Sequence, residues 1–262
     1  MPFPSGPTTG HSSPAAATAL PRVHGTPAHA HRPDVQLVPV PCPVITSDEE
    51  WREQRVALID SGRLHAREAT MADLLPVARR GTFVGGRMAM REALTSVLGV
   101  DTVPPVMRNS RGAPVLPPGV TGSISHKREL ALAAVTRQDQ AVRHVGVDLE
   151  MRPSLADLER PSIAPRILTT TERAELTAEQ LDPLVERERV LVHFAVKEAV
   201  YKAIDPFVER YVGFTEVELI VDANGTAEVA LLLPEPVVQD VRVEAQWFVD
   251  GDWLVATAFS YR

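Results

Sequence analysis

The stretch Phe194-Ala-Val-Lys-Glu-Ala-Val-Tyr-Lys-Ala203 belongs to a strongly helical run and carries Glu198 between two lysines. Glu198 and Lys202 are four residues apart, so a helix would place them on one face. Such pairs often form a solvated salt bridge worth about 0.3 kcal/mol. The same residues would also suit a site that binds a metal ion and phosphate groups. The stretch alone leaves both interpretations open.

A second acidic motif, Val145-Gly-Val-Asp-Leu-Glu150, lies upstream and is typical of a short buried strand. Asp148 and Glu150 are two residues apart, so on a strand they would point to the same face and repel each other unless a cation lay between them. Magnesium commonly binds a few protein carboxylates and leaves its other positions to water and substrate phosphates. Asp148, Glu150 and Glu198 could supply three ligands. The alternative is that the pair is simply the solvated end of a strand.

Composition limits the functions that this chain can have. Its 262 residues, 44% of them hydrophobic, are enough to build a substantial core. The net charge of −7 and the pI near 5.6 argue against a non-specific nucleic-acid binder, which would carry a basic domain. Cys42 is the single cysteine, so an intramolecular disulfide and a cysteine zinc site are both excluded.

The sequence contains no apolar run of the roughly 18 residues that a membrane-spanning helix needs. The start of the chain also lacks a charged segment followed by an apolar one, which a secretion signal would have. We therefore expect no membrane partner and a cytoplasmic protein. Residues 1–34 are rich in Pro, Ala, Ser, Thr, Gly and His, and this composition predicts a disordered tail.

The rest of the chain alternates between helical and strand-like patterns. Ser47-Asp-Glu-Glu is typical of a capped helix start, and Asn224-Gly and Asp250-Gly are favoured hairpin turns. Helices are predicted at 71–80, 82–98 and 183–203, a loop at 104–119, and strands at 121–126, 130–135, 144–150, 216–221, 227–233, 246–249 and 253–259. The order of elements predicts an α+β fold made of two halves.

Three motifs taken in order resemble the 4′-phosphopantetheinyl transferases, and most closely the larger single-chain kind that serves siderophore, polyketide and nonribosomal peptide synthases. They are Ser123-Ile-Ser-His126, Gly146-Val-Asp-Leu-Glu150 and Phe194-Ala-Val-Lys-Glu-Ala-Val-Tyr-Lys202. The resemblance extends from about residue 71 to the end of the chain. It implies two similar α+β lobes with antiparallel sheets, related by a pseudo-twofold axis, with the active site in the cleft between them.

The lobes would be residues 35–142 and 143–262. The first would hold the arginines and the histidine that bind the coenzyme A nucleotide, and the second the metal carboxylates and the catalytic helix. Because both lobes lie in one chain, the cleft needs no second copy, and we expect a monomer.

The resemblance also implies roles for individual residues. Asp148, Glu150 and Glu198 would bind magnesium, and Glu198 would act as the general base, with Asp148 and Lys202 also taking part in catalysis. Arg79 and Arg87 would grip the 3′-phosphate of coenzyme A. The full set of expected coenzyme A contacts is Arg79, Arg87, Arg108, Arg111, Ser125, His126, Lys197, Lys202 and Tyr211. Phe194 and Tyr211 stand where many relatives have tryptophan.

The implied reaction transfers the 4′-phosphopantetheine arm of coenzyme A to a serine of an apo acyl- or peptidyl-carrier domain, with Mg²⁺, and releases adenosine 3′,5′-bisphosphate. Two alternatives remain: another magnesium-dependent phosphoryl-transfer enzyme, since carboxylates and lysines serve that chemistry equally, or a non-catalytic coenzyme A-binding module. For carrier docking we expect a local patch within residues 151–182 that includes Arg160, Arg166 and Arg173.

Overall fold

The computed structural model of the chain describes residues 34–138, 144–234 and 240–262. The predicted tail, apart from Asp34, and the predicted lobe boundary at 142/143 lie outside the described residues. No helix in these three ranges is both long and apolar enough to cross a membrane.

The first part of the described chain packs one long helix on a small sheet. Its elements are β1 (Gln36–Pro41), α1 (Asp48–Asp60), α2 (Ala66–Asp73), α3 (Val77–Leu98), β2 (Met107–Arg108), β3 (Pro114–Val115), β4 (Val120–Lys127) and β5 (Leu130–Arg137). The sheet has the antiparallel order β1-β5-β4, and α3 packs across all three strands. Strands β2 and β3 form a separate short hairpin.

The second part repeats this arrangement with a larger sheet. Its elements are β6 (His144–Met151), α4 (Ala164–Ile167), α5 (Thr170–Ala178), α6 (Pro183–Val208), β7 (Val217–Val221), β8 (Thr226–Leu231), β9 (Arg242–Asp250) and β10 (Trp253–Tyr261), with 3-10 turns at Leu155–Glu159 and Phe214–Glu216. The sheet order is β6-β10-β9-β8-β7 with antiparallel pairing, and α6 packs mainly on β6 and β10. The α+β class predicted from the sequence is confirmed.

Helix boundaries follow local chemistry. Ser47 caps α1 by accepting a hydrogen bond from the Glu50 amide, as the sequence predicted. The helix predicted at 71–80 is wrong, because α2 ends at Asp73 and α3 begins only at Val77. Pro76 explains the break, since a proline has no N–H to donate and disfavours the helical conformation in the residue before it.

Other elements also differ from the expectation: the predicted loop at 104–119 contains the β2–β3 hairpin, and β9 begins at Arg242 rather than at residue 246. Strand β1, which contains two prolines, was not predicted; it lies at the sheet edge, where a missing N–H is tolerated. Helix α6 continues to Val208 rather than ending at residue 203. Pro206 lies in its last turn, and Glu209, with a left-handed φ of 49°, ends it.

Gly146 fixes the distance between β6 and α6. A Cβ atom at this position would lie 1.9 Å from the carbonyl oxygen of Ala199, so a larger residue would push the helix away from the strand. The close approach lets the Nζ atom of Lys202 donate to the Val147 carbonyl at 2.9 Å. The strand with the acidic motif and the helix with the lysine motif are therefore locked side by side.

Candidate active site

A cleft of about 620 Å³ opens between the two parts of the chain. Its walls come from α3, the segment around the β2–β3 hairpin, β4, the start of β6 and the end of α6. Five of the predicted coenzyme A contacts line it: Arg87, Arg108, Arg111, His126 and Lys202.

One wall of the cleft carries Arg87 and Arg108, which form no ion pair with any acidic residue in the described part of the chain. Arg87 is 4% exposed, and its Nε and Nη2 atoms are buried without a hydrogen-bond partner. Its guanidinium lies 4.5 Å from the centre of the Phe83 ring, and that of Arg108 lies 4.8 Å from the same ring. Burial, and then the charge of Arg108, lower the pKa of Arg87 to about 10.

Burial also lowers the pKa of Arg108, and the positive charge of the exposed Arg79 lowers it further. Uncompensated guanidiniums in a partly desolvated wall favour a bound anion, and phosphate suits them because arginine can donate two parallel hydrogen bonds. The burial of Arg87 shows that it does not belong to a solvated helix surface. Arg80 on the same helix has a different role, since it donates to Asp48 at 2.5 Å and to the Leu75 carbonyl at 3.0 Å.

Lys202 lines the opposite side of the cleft and is bonded to the acidic motif, although Asp148, Glu150 and Glu198 do not themselves line the cleft. The Oδ1 atom of Asp148 accepts hydrogen bonds from the Ser125 hydroxyl at 2.8 Å and from Lys202 Nζ at 2.7 Å. The other oxygen, Oδ2, is buried and has no partner. Asp148 thus joins β4, β6 and α6, and one of its oxygens remains open. Ser125, predicted as a phosphate contact, instead holds this carboxylate.

The two neighbouring acids are both partly desolvated. Burial raises the pKa of Glu150, with a further increase from Asp148 that the ion pair with Lys127 opposes. Burial likewise raises the pKa of Glu198, with Lys202 lowering it and Asp148 raising it. The Asp148 carboxylate therefore raises the pKa of both other acids that were predicted as metal ligands.

The predicted three-carboxylate metal site is not assembled in this structure. Within the described ranges, no group of three or more His, Cys, Asp or Glu side chains is placed to hold a metal ion. Asp148 and Glu150 are instead paired with the ammonium groups of Lys202 and Lys127. The residues still fit a hard divalent cation, because their donors are all carboxylate oxygens and the buried Oδ2 of Asp148 is without a partner.

Lys197, which was predicted to bind a phosphate, is engaged within the protein in this structure. Its side chain is 1% exposed, and Nζ donates to Glu172 Oε2 at 2.7 Å, to the Ile167 carbonyl at 2.9 Å and to the Phe214 carbonyl at 3.0 Å. An ammonium group has three N–H donors, so these bonds leave none for a ligand. Lys197 holds the protein together beneath the site.

Arg111 lies in the cleft but is already paired. Its Nε atom lies 3.0 and 3.1 Å from the two carboxylate oxygens of Asp205 on α6, and an Nη2 contact completes a bidentate pair. As a coenzyme A contact it would have to leave this partner, so we assign it to the interface between the two parts. His126 opens into the cleft, where partial burial lowers its pKa and Lys202 and Arg108 add to the effect.

Tyr211 lies outside the main cleft. It is 68% exposed and its ring centre is 6.0 Å from that of Tyr201. With Glu198 it lines a small neighbouring pocket, so it sits on the Glu198 side of the site. The Phe194 ring packs 5.5 Å from Phe214 beneath this surface.

Several residues at the site lie outside the sequence motifs. Lys127 pairs with Glu150. Phe83 packs against the guanidiniums of Arg87 and Arg108, and Asp205 accepts hydrogen bonds from Arg111. The signal for Lys127 was its rarity, because the sequence has only three lysines and the other two lie in the helix motif. Phe83 and Asp205 carry no comparable signal.

A cleft with unpartnered N–H groups of Arg87 on one wall, and with Lys202 bonded to the Asp148 carboxylate on the other, suits phosphate-rich ligands of the kind bound by phosphoryl-transfer enzymes. Comparison with known proteins gives the family. Residues 66–136 match the model of the 4′-phosphopantetheinyl transferase N-terminal domain, and residues 144–258 match that of the 4′-phosphopantetheinyl transferase superfamily. The chain belongs to the 4′-phosphopantetheinyl transferase superfamily and is an enzyme of its larger, single-chain kind, as the three motifs predicted.

Individual relatives agree with this result. The chain is 34% identical over 193 residues to 4′-phosphopantetheinyl transferase Npt of Nocardia iowensis, a match that covers 69% of this chain and 79% of that protein. It is 36% identical over 163 residues to 4′-phosphopantetheinyl transferase Svp of Streptomyces mobaraensis, covering 60% and 62%. It is also 33% identical over 180 residues to enterobactin synthase component D of Salmonella typhi, covering 68% and 70%.

Proposed function

We propose that the chain transfers the 4′-phosphopantetheine arm of coenzyme A to a serine of an apo acyl- or peptidyl-carrier domain, with Mg²⁺ as cofactor, and releases adenosine 3′,5′-bisphosphate. The observation that carries the proposal is the unpaired, buried guanidinium of Arg87 facing the same cleft as Lys202, which is bonded to Asp148. One side suits the fixed recognition of a terminal phosphate. The other suits the reacting pyrophosphate.

The first half of the proposal concerns binding. Arg79, Arg87 and Arg108 hold the 3′-phosphate end of coenzyme A, where their uncompensated charges supply the attraction. His126 and Lys202 face the pyrophosphate from β4 and α6. Burial lowers the pKa of His126 and so favours the neutral ring in the free enzyme, whereas a bound phosphate would favour the protonated form.

The second half concerns the reaction. The carrier serine attacks the β-phosphorus of coenzyme A, a new O–P bond forms, and the bond to the departing adenosine bisphosphate breaks. Glu198 accepts the proton of the serine, and burial helps by raising the pKa of its carboxylate and making it a stronger base. Lys202 steadies Asp148 and the phosphate charge. Magnesium held by Asp148, Glu150 and Glu198 would neutralise charge on the pyrophosphate oxygens.

The test is a mass measurement on the acceptor. Incubating the protein with coenzyme A, Mg²⁺ and an apo carrier domain should add roughly 340 Da to the carrier, the mass of the transferred arm. A carrier with its acceptor Ser→Ala is the matched control and should gain nothing. Absence of a mass gain across several carrier domains would reject the proposal.

The same assay separates the alternatives. Another phosphoryl-transfer enzyme would release adenosine 3′,5′-bisphosphate without needing an acceptor serine. Glu198→Gln should abolish transfer and leave coenzyme A binding measurable, whereas a pure binding module has no transfer rate to lose. The substitution keeps the shape of the side chain and removes the proton acceptor.

Three further expectations belong to the proposal. The protein acts in the cytoplasm, it works as a monomer, and the carrier docks on residues 151–182. Arg160 fits that docking surface because its side chain is 73% exposed. Arg173 fits it less well, since it already donates to the Pro165 and Leu168 carbonyls. Charge reversal at Arg160 should weaken carrier binding without changing coenzyme A affinity.

A further inference from the structure

Lysine is rare in this chain and its placement is unusual. Of the 27 basic residues only three are lysines, namely Lys127, Lys197 and Lys202. Each one forms an ion pair with a carboxylate, at 2.5 Å with Glu150, at 2.7 Å with Glu172 and at 2.7 Å with Asp148. Lys197 is a buried structural residue and Lys202 belongs to the proposed site, which leaves Lys127 without an assigned role.

Lys127 links the two parts of the molecule. It is the last residue of β4, and its Nζ atom reaches Oε2 of Glu150 on β6. The Glu150 side chain is 10% exposed and that of Lys127 is 40% exposed, so the lysine approaches the buried carboxylate from the solvent side. The carboxylate is fixed on β6, which pairs with β10 and lies against α6. The ammonium sits on a flexible stem at a strand end and has room to move away.

Two ammonium groups offset part of the negative charge of the acidic residues at the site. Lys127 and Lys202 together balance two of the three acids that are proposed to bind the metal. A divalent ion that needs the Glu150 carboxylate would therefore compete with Lys127 for it. Lysine suits a replaceable counter-ion better than arginine does, because it holds a carboxylate through one point charge rather than a rigid bidentate fork.

We propose that Lys127 is a built-in counter-ion of Glu150 that a divalent cation must displace, and that Lys127 thereby sets the cation affinity of the site. The inference rests on the proposed function only in taking Glu150 as a metal ligand. It assigns Lys127 a role that neither the motifs nor the relatives' names contain.

The probe is Mn²⁺ alone, titrated into the metal-free full-length protein, with free Mn²⁺ followed by its electron paramagnetic resonance signal. Lys127→Met removes the ammonium and should tighten Mn²⁺ binding about fivefold, the size expected for a half-exposed ion pair. Arg128→Asn is the matched control: it removes one positive charge from the adjacent exposed turn residue, where asparagine tolerates the left-handed φ of 49°. It should leave the affinity close to that of the wild type.

A double-mutant cycle makes the inference specific. In a Glu150→Gln background, Lys127→Met should no longer change Mn²⁺ affinity, because the contested carboxylate is gone. An unchanged or weaker Mn²⁺ affinity in Lys127→Met would overturn the inference. An equal gain in affinity in Arg128→Asn, or the absence of Mn²⁺ binding in every variant, would also overturn it. A tighter Lys127→Met site in a protein that transfers nothing to any carrier would uphold the inference and reject the proposed function.

Discussion

At the scale of single residues, two buried arginines on α3 differ in whether the protein supplies them with hydrogen-bond partners. Arg80 is fully engaged with Asp48 and the Leu75 carbonyl, whereas Arg87 has two N–H groups without a partner. A buried charge that lacks compensation lowers stability, and natural proteins tolerate it mainly where a ligand will supply the partner. The same residue type thus serves the fold at one position and the ligand at the other.

The first prediction uses this contrast. Arg87→Met should weaken coenzyme A binding by about 10- to 100-fold, the range of lost charge-assisted hydrogen bonds, and should bring its affinity close to that for dephospho-coenzyme A. The free energy of unfolding of the Arg87→Met variant should stay at or above the wild-type value, because the guanidinium that is removed had N–H groups without a partner. Calorimetric titration and urea unfolding measure the two quantities.

Arg80→Met is the control on the same helix. It should lower the free energy of unfolding, because Arg80 is paired, and leave coenzyme A affinity unchanged. If Arg87→Met instead lost stability and kept its affinity for coenzyme A, Arg87 would be a structural residue like Arg80.

The second prediction concerns His126 and pH. Burial holds the pKa of His126 below its usual value in the free protein, and a bound phosphate would raise it. Binding should therefore take up a proton between these two pKa values, and coenzyme A affinity should increase as the pH falls from above the pKa of the bound form to below that of the free form. Titrations in two buffers with different protonation enthalpies measure the uptake. His126→Gln should lose this part of it; an identical uptake in the variant would refute the assignment.

At the scale of elements, α6 has two distinct sides. Glu198 and Lys202, four residues apart, lie toward the site, while Lys197 points into the protein and ties α6 to the end of α4 and to the turn at Phe214–Glu216. Its partner Glu172 also accepts hydrogen bonds from the Thr169 and Leu219 amides. One buried ion pair therefore joins α4, α5, α6 and β7 beneath Glu198.

The third prediction tests this pair by unfolding. Lys197→Met should lower the free energy of unfolding by about 3–5 kcal/mol, because it leaves the Glu172 carboxylate buried and unpaired. The double variant Lys197→Met with Glu172→Met should recover a large part of the loss. Urea unfolding measures both. Arg152→Met, which removes an exposed ion pair with Glu188 on the same helix, is the control and should have little effect. Normal stability with lost coenzyme A binding in Lys197→Met would restore Lys197 as a phosphate ligand.

At the scale of the whole molecule, polar contacts hold the two parts around the cleft. Ser125 binds Asp148, the Thr121 hydroxyl accepts from the Val145 amide at 3.2 Å, and Arg111 pairs with Asp205 across the cleft itself. These contacts set the width of the cleft, because each one joins a residue of the first part to one of the second. Neither part contains the site alone.

The fourth prediction follows from the Arg111–Asp205 pair. Arg111→Ala should weaken coenzyme A binding about three- to tenfold, because the pair no longer restrains the two walls at the distance the ligand needs. Asp205→Ala should have a similar effect although it makes the cleft less negative, and this similarity separates a bridging role from direct phosphate binding. A gain in affinity on Asp205→Ala would show that Arg111 is released to bind the ligand. The measurement is calorimetric titration with coenzyme A.

Much of the fold could be read from local patterns. The cap at Ser47, the hairpin turns at Gly225 and Gly251, and the strands on either side of them depend on neighbouring residues, so the sequence predicted them. Strand β1 was missed because an edge strand with prolines looks like a loop, and its pairing with β5 is set by residues far along the chain. The break at Pro76 was missed because the apolar pattern runs through it.

The sequence by itself determined the α+β class, the family and the set of charged residues available for chemistry. Only the tertiary structure decided which of those charges face the cleft. Helical periodicity predicts that Lys197 and Lys202 point in different directions from α6, but it does not show which of them is buried in the protein. That depends on Glu172, Ile167 and Phe214, which reach Lys197 only when distant segments pack. The pairings of Lys127 with Glu150 and of Arg111 with Asp205 arise in the same way, since an ion pair forms where folding brings its partners together and not where they stand in the sequence.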